Sequence, residues 1–394
     1  MQLRYNYRLY PTSAQRDALA RTFGCARVVF NDGLRARQEA YAAGLPYLTD
    51  AELSARLTAA KATPQRAWLT EVSAVVLQQA LADLNAAYRN FFASVTGKRK
   101  GSRVAAPRFR SRKDYRQAVR FTANARWRIT PGRRLRLPKI GDVEVRWSRD
   151  LPSTPSSVTV VKDSADRYFA SFVIETEQGT LPEVEPVVGI DLGLASFAVL
   201  SNGRKITAPQ FLRRAENKLK RRQRELSRKK NGSCNRDKAR LKVARAHVQV
   251  ADARRDFHHQ LSTALIRENQ AVAVEDLAVN GLARTRMAKS VHDAGWSAFV
   301  NMLEYKARLH GRAFHRISRF DPTSQVCSAC GVNDGPKPLH VRTWQCRMCG
   351  VWLDRDVNAA VNVAKAAGLA VTACGAQVRP GPVLAQRSEA GTHP

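Results

Sequence analysis

Two short cysteine knuckles constrain this chain more tightly than any other feature. They are Cys327-Ser-Ala-Cys330 and Cys346-Arg-Met-Cys349, separated by fifteen residues. Each Cys-x-x-Cys loop presents two sulfurs to one tetrahedral ion, so the four read as a structural zinc site. Gly331 and Gly350 follow the second cysteine of each knuckle, where a tight turn can aim backbone N–H groups at sulfur. Disulfides are the competing reading, but they suit exported proteins. The opening Met-Gln-Leu-Arg-Tyr-Asn-Tyr has no apolar signal core, so a cytoplasmic location is expected. Lys337, Arg342 and Arg347 beside the knuckles hint at a nucleic-acid contact, though exposed arginine is also ordinary surface. Cys25, Cys234 and Cys374 are scattered and receive no role.

The charge balance names the partner class. Sixty-six Lys and Arg face 33 Asp and Glu, a net +33 over 394 residues, and such self-repulsion calls for a polyanion. No apolar run approaches membrane-spanning length, so a membrane partner is not expected. The charge concentrates in two tracks. Between Lys98 and Arg128 there are twelve basic residues and one acid, interleaved with Phe109, Tyr115, Phe121 and Trp127. Those aromatics either present faces to bases or pack a core beneath the basic groups. Between Arg213 and Arg245 there are fifteen basic residues and three acids, with Leu212, Leu219 and Leu226 at heptad spacing. That pattern predicts a helical hairpin, one apolar stripe and otherwise basic, broken at Asn231-Gly232-Ser233. The candidate nucleic-acid contacts are Lys98, Arg99, Lys100, Arg108, Arg110, Arg112, Lys113, Arg221, Arg222, Lys229 and Lys230.

Periodicity divides the rest. Leu3, Tyr5, Tyr7 and Leu9 alternate with polar residues as in a half-buried strand. Pro11-Thr12-Ser13 ends it and can cap a helix running past Phe30 towards Ala42, and a second helical pattern is clearest from Glu71 to Phe92. From Arg103 to Glu175 short alternating segments predict a small β-barrel: Leu135–Lys139, Val143–Trp147, Val158–Val161 and Tyr168–Ile174, which the strand at 2–10 could join. Residues 176–186 lack periodicity and read as a linker.

Past that linker come three acidic signatures. Val187-Val-Gly-Ile-Asp191-Leu-Gly193 is an apolar strand bearing one carboxylate, followed by a hairpin around Ser201-Asn202-Gly203. Ala271-Val-Ala-Val-Glu275-Asp276-Leu repeats the signature after a long helix. Asp354-Arg-Asp356-Val-Asn358-Ala-Ala360 opens an amphipathic helix just past the knuckles. Each acid alone could be a turn residue or a helix cap. Together they supply the oxygen ligands that two magnesium or manganese ions require for phosphodiester hydrolysis.

The order Gly-Ile-Asp-Leu-Gly, Val-Glu-Asp-Leu, paired knuckles, Asp-Arg-Asp-Val-Asn-Ala-Ala resembles the RuvC-like half of the TnpB family. Those proteins are encoded by insertion sequences and are similar to compact type V CRISPR effectors. The resemblance covers residues 187–366 and includes Asp293-Ala-Gly-Trp296 and Arg342-Thr-Trp344-Gln-Cys346. Pro11, Gln15 and Pro107-Arg108-Phe109 carry a weaker likeness in the first half. It implies an α+β multidomain chain. Residues 1–10 with 97–180 would be a barrel-like wedge domain, and 11–96 a helical recognition domain. Residues 181–324 with 351–370 would be a RuvC-like domain of RNase H fold, with the basic hairpin at 211–268, a zinc ribbon at 325–350 inserted, and a disordered tail at 371–394. It further implies Asp191, Glu275 and Asp356 as catalytic metal ligands, with Asp354 as a cap. The implied activity is magnesium-dependent, RNA-guided cleavage of double-stranded DNA. The guide would come from the transposon end, with a separate transposase encoded nearby as a further partner. An unguided RuvC-like nuclease and a non-catalytic RNA- or DNA-binding regulator are the alternatives.

Overall fold

In the computed structural model, which describes residues 1–369 apart from 178 and 339, the chain divides into two units, Met1–Thr176 and a second beginning at Glu177. The expected tail at 371–394 and Cys374 lie outside the described residues.

The first unit opens with β1 (Gln2–Tyr10) and runs into α1 (Ser13–Ala42). Thr12 starts that helix with a capping box. Its hydroxyl accepts from the Gln15 backbone N–H, and the Gln15 side chain accepts from the Thr12 N–H. Helices α2 (Asp50–Lys61) and α3 (Ala74–Val95) follow, then strands β2 (Gln117–Thr122), β3 (Arg128–Ile129), β4 (Leu135–Leu137), β5 (Gly141–Arg146), β6 (Ser157–Lys162) and β7 (Tyr168–Glu175). The seven strands are antiparallel in the order β2-β6-β7-β1-β5-β4-β3, with β1 in the centre. Leu9 pairs with Tyr168 on one side and Val145 on the other.

This is an open, curled sheet where the periodicity suggested a closed barrel. Among the described residues its ends, β2 and β3, are not paired, and β3 contributes only two residues; closure needs both edges to share a ladder. Helices and sheet share one core, in which Leu19, Phe23, Leu77 and Leu84 meet Phe121, Val158 and Phe172. Cys25 lies in that core, where burial pushes its thiol up to about 11, the behaviour of an inert packing residue.

The second unit contains β8 (Val187–Asp191), β9 (Ser196–Leu200), β10 (Lys205–Thr207), α4 (Phe211–Ser227), α5 (Cys234–Glu268), β11 (Ala271–Glu275), α6 (Val279–Leu282), α7 (Ala288–Ala294), α8 (Trp296–Leu309), β12 (Ala313–Ile317), β13 (Thr343–Gln345), β14 (Trp352–Asp354) and α9 (Arg355–Ala366). Five strands form one mixed sheet, β10-β9-β8-β11-β12, in which β8, β11 and β12 run parallel and the rest antiparallel. Helices α4 and α5 form the basic hairpin, closed where Leu219 is buried against Ala246 and Val250.

Candidate active site

Side-chain alternation along β8 and β11 decides which face carries chemistry. Val188, Ile190, Val272 and Val274 pack with Leu261 and Leu265 of α5 and Phe299 and Leu303 of α8. Their neighbours in sequence, Gly189 and Ala273, therefore face the other way, onto α9. The contact at Gly189 is extremely close: a Cβ there would stand 2.1 Å from the Ala360 carbonyl oxygen and 2.6 Å from the Ala364 nitrogen. Ala273 meets Val363 of the same helix. Two residues further along each strand, on that same face, come Asp191 and Glu275. The strands are parallel with Ile190 opposite Val274, so the next positions along are Asp191 and Glu275 themselves, on strands about 4.8 Å apart. The first turn of α9 supplies Asp356. Two strand ends and one helix start thus bring three half-buried carboxylates to the same end of the sheet, near enough for the charges of two to act on Asp191.

Their electrostatics follow. The Asp191 carboxyl is pushed up to about 7 by burial first, then by the charges of Asp356 and Glu275; Arg355 pulls the other way. Burial, with Asp321 and Asp276 beside it, also raises Glu275. Acids placed so that two of them raise a third form a donor set that a divalent cation with oxygen ligands fits. They do not converge as a closed cage, however. Asp356 Oδ1 lies 3.4 Å from Arg342 Nη1, and Asp276 is engaged by Arg319 and Arg316.

Asp354 is fully occupied. Its Oδ1 accepts from the backbone N–H groups of Asp356 and Val357, capping α9, while its Oδ2 accepts from Lys205 Nζ at 2.6 Å. Lys205, on β10, went unmarked in the sequence because nothing local ties it to residue 354. Asn358 and Asn362 were likewise silent. Their side-chain amides both donate to the Thr323 and Val326 carbonyls, and Asn358 Oδ1 accepts from the Ser328 N–H, tying the first knuckle to α9. Asp293 gains a role too. Its carboxylate accepts from the Leu212 and Arg213 N–H groups, capping α4, whose own Gln210 makes no side-chain cap.

The four cysteines do converge. Their sulfurs lie within 4.8 Å of one another, with Cys327–Cys349 and Cys330–Cys346 both at 3.7 Å. A tetrahedron with zinc–sulfur bonds near 2.3 Å needs edges of about 3.8 Å, so the cage fits zinc as it stands. The turns contribute as expected: backbone N–H groups, that of Cys349 foremost, hold the Cys346 thiol down at about 7.

Of the predicted nucleic-acid contacts, Lys98, Arg99, Lys100, Arg108, Arg112, Lys113, Arg221, Lys229 and Lys230 are exposed. Two are engaged within the chain. Arg110 pairs with Asp83 and lies over the Phe30 ring, and Arg222 pairs with Glu225. The interleaved aromatics split as well, Phe121 and Trp127 packing in the core while Phe109 and Tyr115 stay exposed. A cavity of about 270 Å³ lined by Phe197, Phe211 and Phe257 holds none of the three acids, while Glu275 and Asp276 line a smaller one of about 70 Å³. Among the described residues no helix is long and apolar enough to cross a membrane.

Comparison with known proteins places this arrangement. A family model described as "Probable transposase" matches residues 171–286, one described as "Cas12f1-like, TNB domain" residues 296–363, and one described as "Helix-turn-helix domain" residues 1–45. A Streptomyces pristinaespiralis protein named "Putative RNA-guided DNA endonuclease" is 44% identical over 381 residues, covering 95% of this chain and 92% of that one. The chain belongs to the TnpB (OrfB, IS605) family. A second TnpB-family relative, the "Putative RNA-guided DNA endonuclease InsQ" of Escherichia coli (strain K12), is 32% identical over 403 residues, covering 97% of this chain and 96% of its own. The fold is that of the Cas12f1 chain in a cryo-EM complex of Cas12f1 with sgRNA and target DNA, at TM-score 0.52 and 13% identity over 88% of this chain and 82% of that one. Residues 1–45, despite the helix-turn-helix description, form β1 and the single long helix α1.

Proposed function

We propose that this TnpB-family chain is an RNA-guided DNA endonuclease that cuts at Asp191, Glu275 and Asp356. One observation carries the reading: strand register and the Gly189–α9 contact deliver three carboxylates to one face of the sheet, where Asp356 and Glu275 raise Asp191. The strand order β10-β9-β8-β11-β12, three antiparallel then two parallel, supports assignment of the second unit as a RuvC-like RNase H fold with the ribbon inserted before α9. On this reading the curled sheet with β1 is the wedge-type domain and α1–α3 the recognition domain. The relatives are named RNA-guided DNA endonucleases, and guide RNA and duplex DNA are the polyanions that the basic tracks of this chain would meet.

Asp191, Glu275 and Asp356 would hold magnesium or manganese, which supplies charge for the phosphate and acidifies an attacking water. The chain's own part is positional. Gly189 lets α9 lie flat on β8, the Asp354 cap fixes the first turn that carries Asp356, and Lys205 restrains Asp354. Arg342 holds Asp356 until a cation competes for it. Asp191 must shed its proton to bind, so cation affinity should rise steeply with pH up to about 7.

The test is to express the chain with its flanking genomic DNA and sequence the RNA that co-purifies. One abundant RNA that confers magnesium-dependent cutting of a matching plasmid is expected. Asp191→Ala and Glu275→Ala should cut at least about 10³-fold more slowly and still bind that RNA. Heterogeneous RNA that can be stripped without changing cleavage would leave an unguided nuclease, and binding without any cleavage would leave a regulator.

A further inference from the structure

Two large aromatic side chains within a few residues of groups that act on the carboxylates stand exposed to water. Phe320 is 87% exposed and Trp352 is 69% exposed.

The ribbon's register fixes where Trp352 lies. Strands β13 and β14 pair Gln345 with Trp352, Trp344 with Leu353 and Thr343 with Asp354. Trp344 and Leu353 turn inward, packing with Cys327 and Cys346. Alternation therefore turns Trp352 and Asp354 to the opposite face, about 7 Å apart along the strand. Asp354 caps the turn that carries Asp356, so Trp352 stands on the Asp356 side of the site. Phe320 lies in the chain between Arg319, which pairs with Asp276 next to Glu275, and Asp321, whose charge bears on Glu275.

The surroundings carry both signs, arginines paired with acids, Arg347 with Asp334 among them. Arg342 reaches Asp356, Arg316 and Arg319 reach Asp276, and the Arg347 side chain is 88% exposed. Flat aromatic faces set among arginines suit a nucleotide strand, the rings taking bases and the guanidinium groups taking phosphates. A phosphodiester lying at the carboxylates has one nucleotide on each side, and Trp352 is linked through Asp354 to Asp356 while Phe320 is flanked by residues that bear on Glu275 and Asp276.

We propose that Phe320 and Trp352 are positioning residues that stack the bases flanking the cleaved phosphate. The proposal rests on Asp191, Glu275 and Asp356 being the cutting site. Stacking is indifferent to base identity, so both rings should act on any target sequence while fixing where the phosphate lies.

The experiment uses the full chain with its co-purified RNA and matching single-stranded DNA. Normal strands are compared with strands carrying an abasic site on either side of the cleaved bond. Trp352→Ala and Phe320→Ala should each lower kcat/KM by about 5-fold or more. Trp352→Phe and Phe320→Trp should recover most of the loss. The decisive signature is non-additivity: an abasic site at the position one ring serves should slow the parent, yet cost nothing further in that ring's Ala variant. Zinc content of one per chain in Trp352→Ala shows that the ribbon remains folded. Ala variants that cut normal strands as the parent does would overturn the proposal. So would losses that add fully to the abasic losses, or a Trp352→Ala change confined to oligomeric state in light scattering. If Asp191→Ala itself still cuts, the fault lies instead with the reading of the cutting site.

Discussion

The second unit contains two candidate metal centres built on opposite plans. The sulfur cage is assembled from two local loops. Each knuckle fixes its own pair of sulfurs, and the edges already match a zinc tetrahedron at 3.7 Å. The carboxylate centre draws its three acids from β8, β11 and α9, spread over 166 residues from Asp191 to Asp356. Asp356 and Glu275 press on Asp191, and Asp356 leans on Arg342. A structural ion wants a closed cage, whereas a catalytic one needs ligands that can open to water and substrate. Local chain geometry can build the first, and only tertiary packing can build the second.

The largest effect should come from breaking the cage. Cys327→Ser with Cys330→Ser removes half of the sulfurs, and structural zinc contributes on the order of 10 kcal/mol to small folded modules at neutral pH. Zinc measured by elemental analysis should fall from one per chain to none, and the ribbon's amides should exchange rapidly. Magnesium chelation should leave those amides protected. If both treatments unfold the ribbon alike, the two centres are not the separate devices described above.

Next comes the packing that assembles the carboxylates. Gly189→Ala places a methyl against the α9 backbone, where no flexible side chain can yield. The strand or helix must shift, costing about 3 kcal/mol or more. Thermal denaturation should show the loss with zinc still bound. A variant as stable as the parent would mean that α9 lies further from β8 than the structure has it.

These two centres also differ in how far the sequence revealed them. The cage was legible outright, because two-residue spacings are local chemistry. Strands at 2–10 and 168–174, the Thr12 cap and the break at Asn231-Gly232-Ser233 were legible for the same reason. The three acids could be picked out as odd residues in apolar strands and at a helix start. Their meeting could not, since it depends on the parallel register of β8 with β11 and on Gly189. Neither could the cross-chain supports, Lys205 on Asp354, Asn358 and Asn362 on the knuckle, or Asp293 on α4. Helix α2, short and weakly amphipathic, passed unnoticed. Strand β2 was hidden inside a basic track, because Arg116 and Arg120 masked the alternation of Val119 and Phe121. Edge pairing is non-local as well, which is why alternating segments suggested a closed barrel where the sheet is open.

A third prediction sets charge against fold. Asp191 keeps its proton in the folded chain up to about 7, well above an unfolded aspartate near 3.9. Between those values the folded state binds more protons than the unfolded one, so stability falls as pH rises through the window. Asp191→Asn removes that burden. Without divalent cations it should stabilise the protein at pH 8 by about 1 kcal/mol or more and bring no gain at pH 3. Adding magnesium should erase or reverse the difference at pH 8, because only the parent gains a bound ion. An asparagine variant no more stable than the parent at pH 8 would show that Asp191 is not strained by its neighbours.

The smallest effect separates the two acids of Asp354-Arg-Asp356. Asp354 has both oxygens committed to α9 and Lys205, which is cap chemistry, so Asp354→Ala should cost about 1 kcal/mol. Asp354→Asn keeps a carbonyl oxygen for the two backbone N–H groups and should lose only part of that. Neither change removes a ligand, so each should slow cutting through a looser first turn, about 10-fold or less. Asp356→Asn removes a ligand and should fall as far as Asp191→Asn does. The isosteric pair therefore decides the assignment without disturbing the fold: if Asp354→Asn is the dead variant and Asp356→Asn the mild one, their roles are exchanged. Lys205 would then be holding a metal ligand in reserve where the structure shows it anchoring a cap.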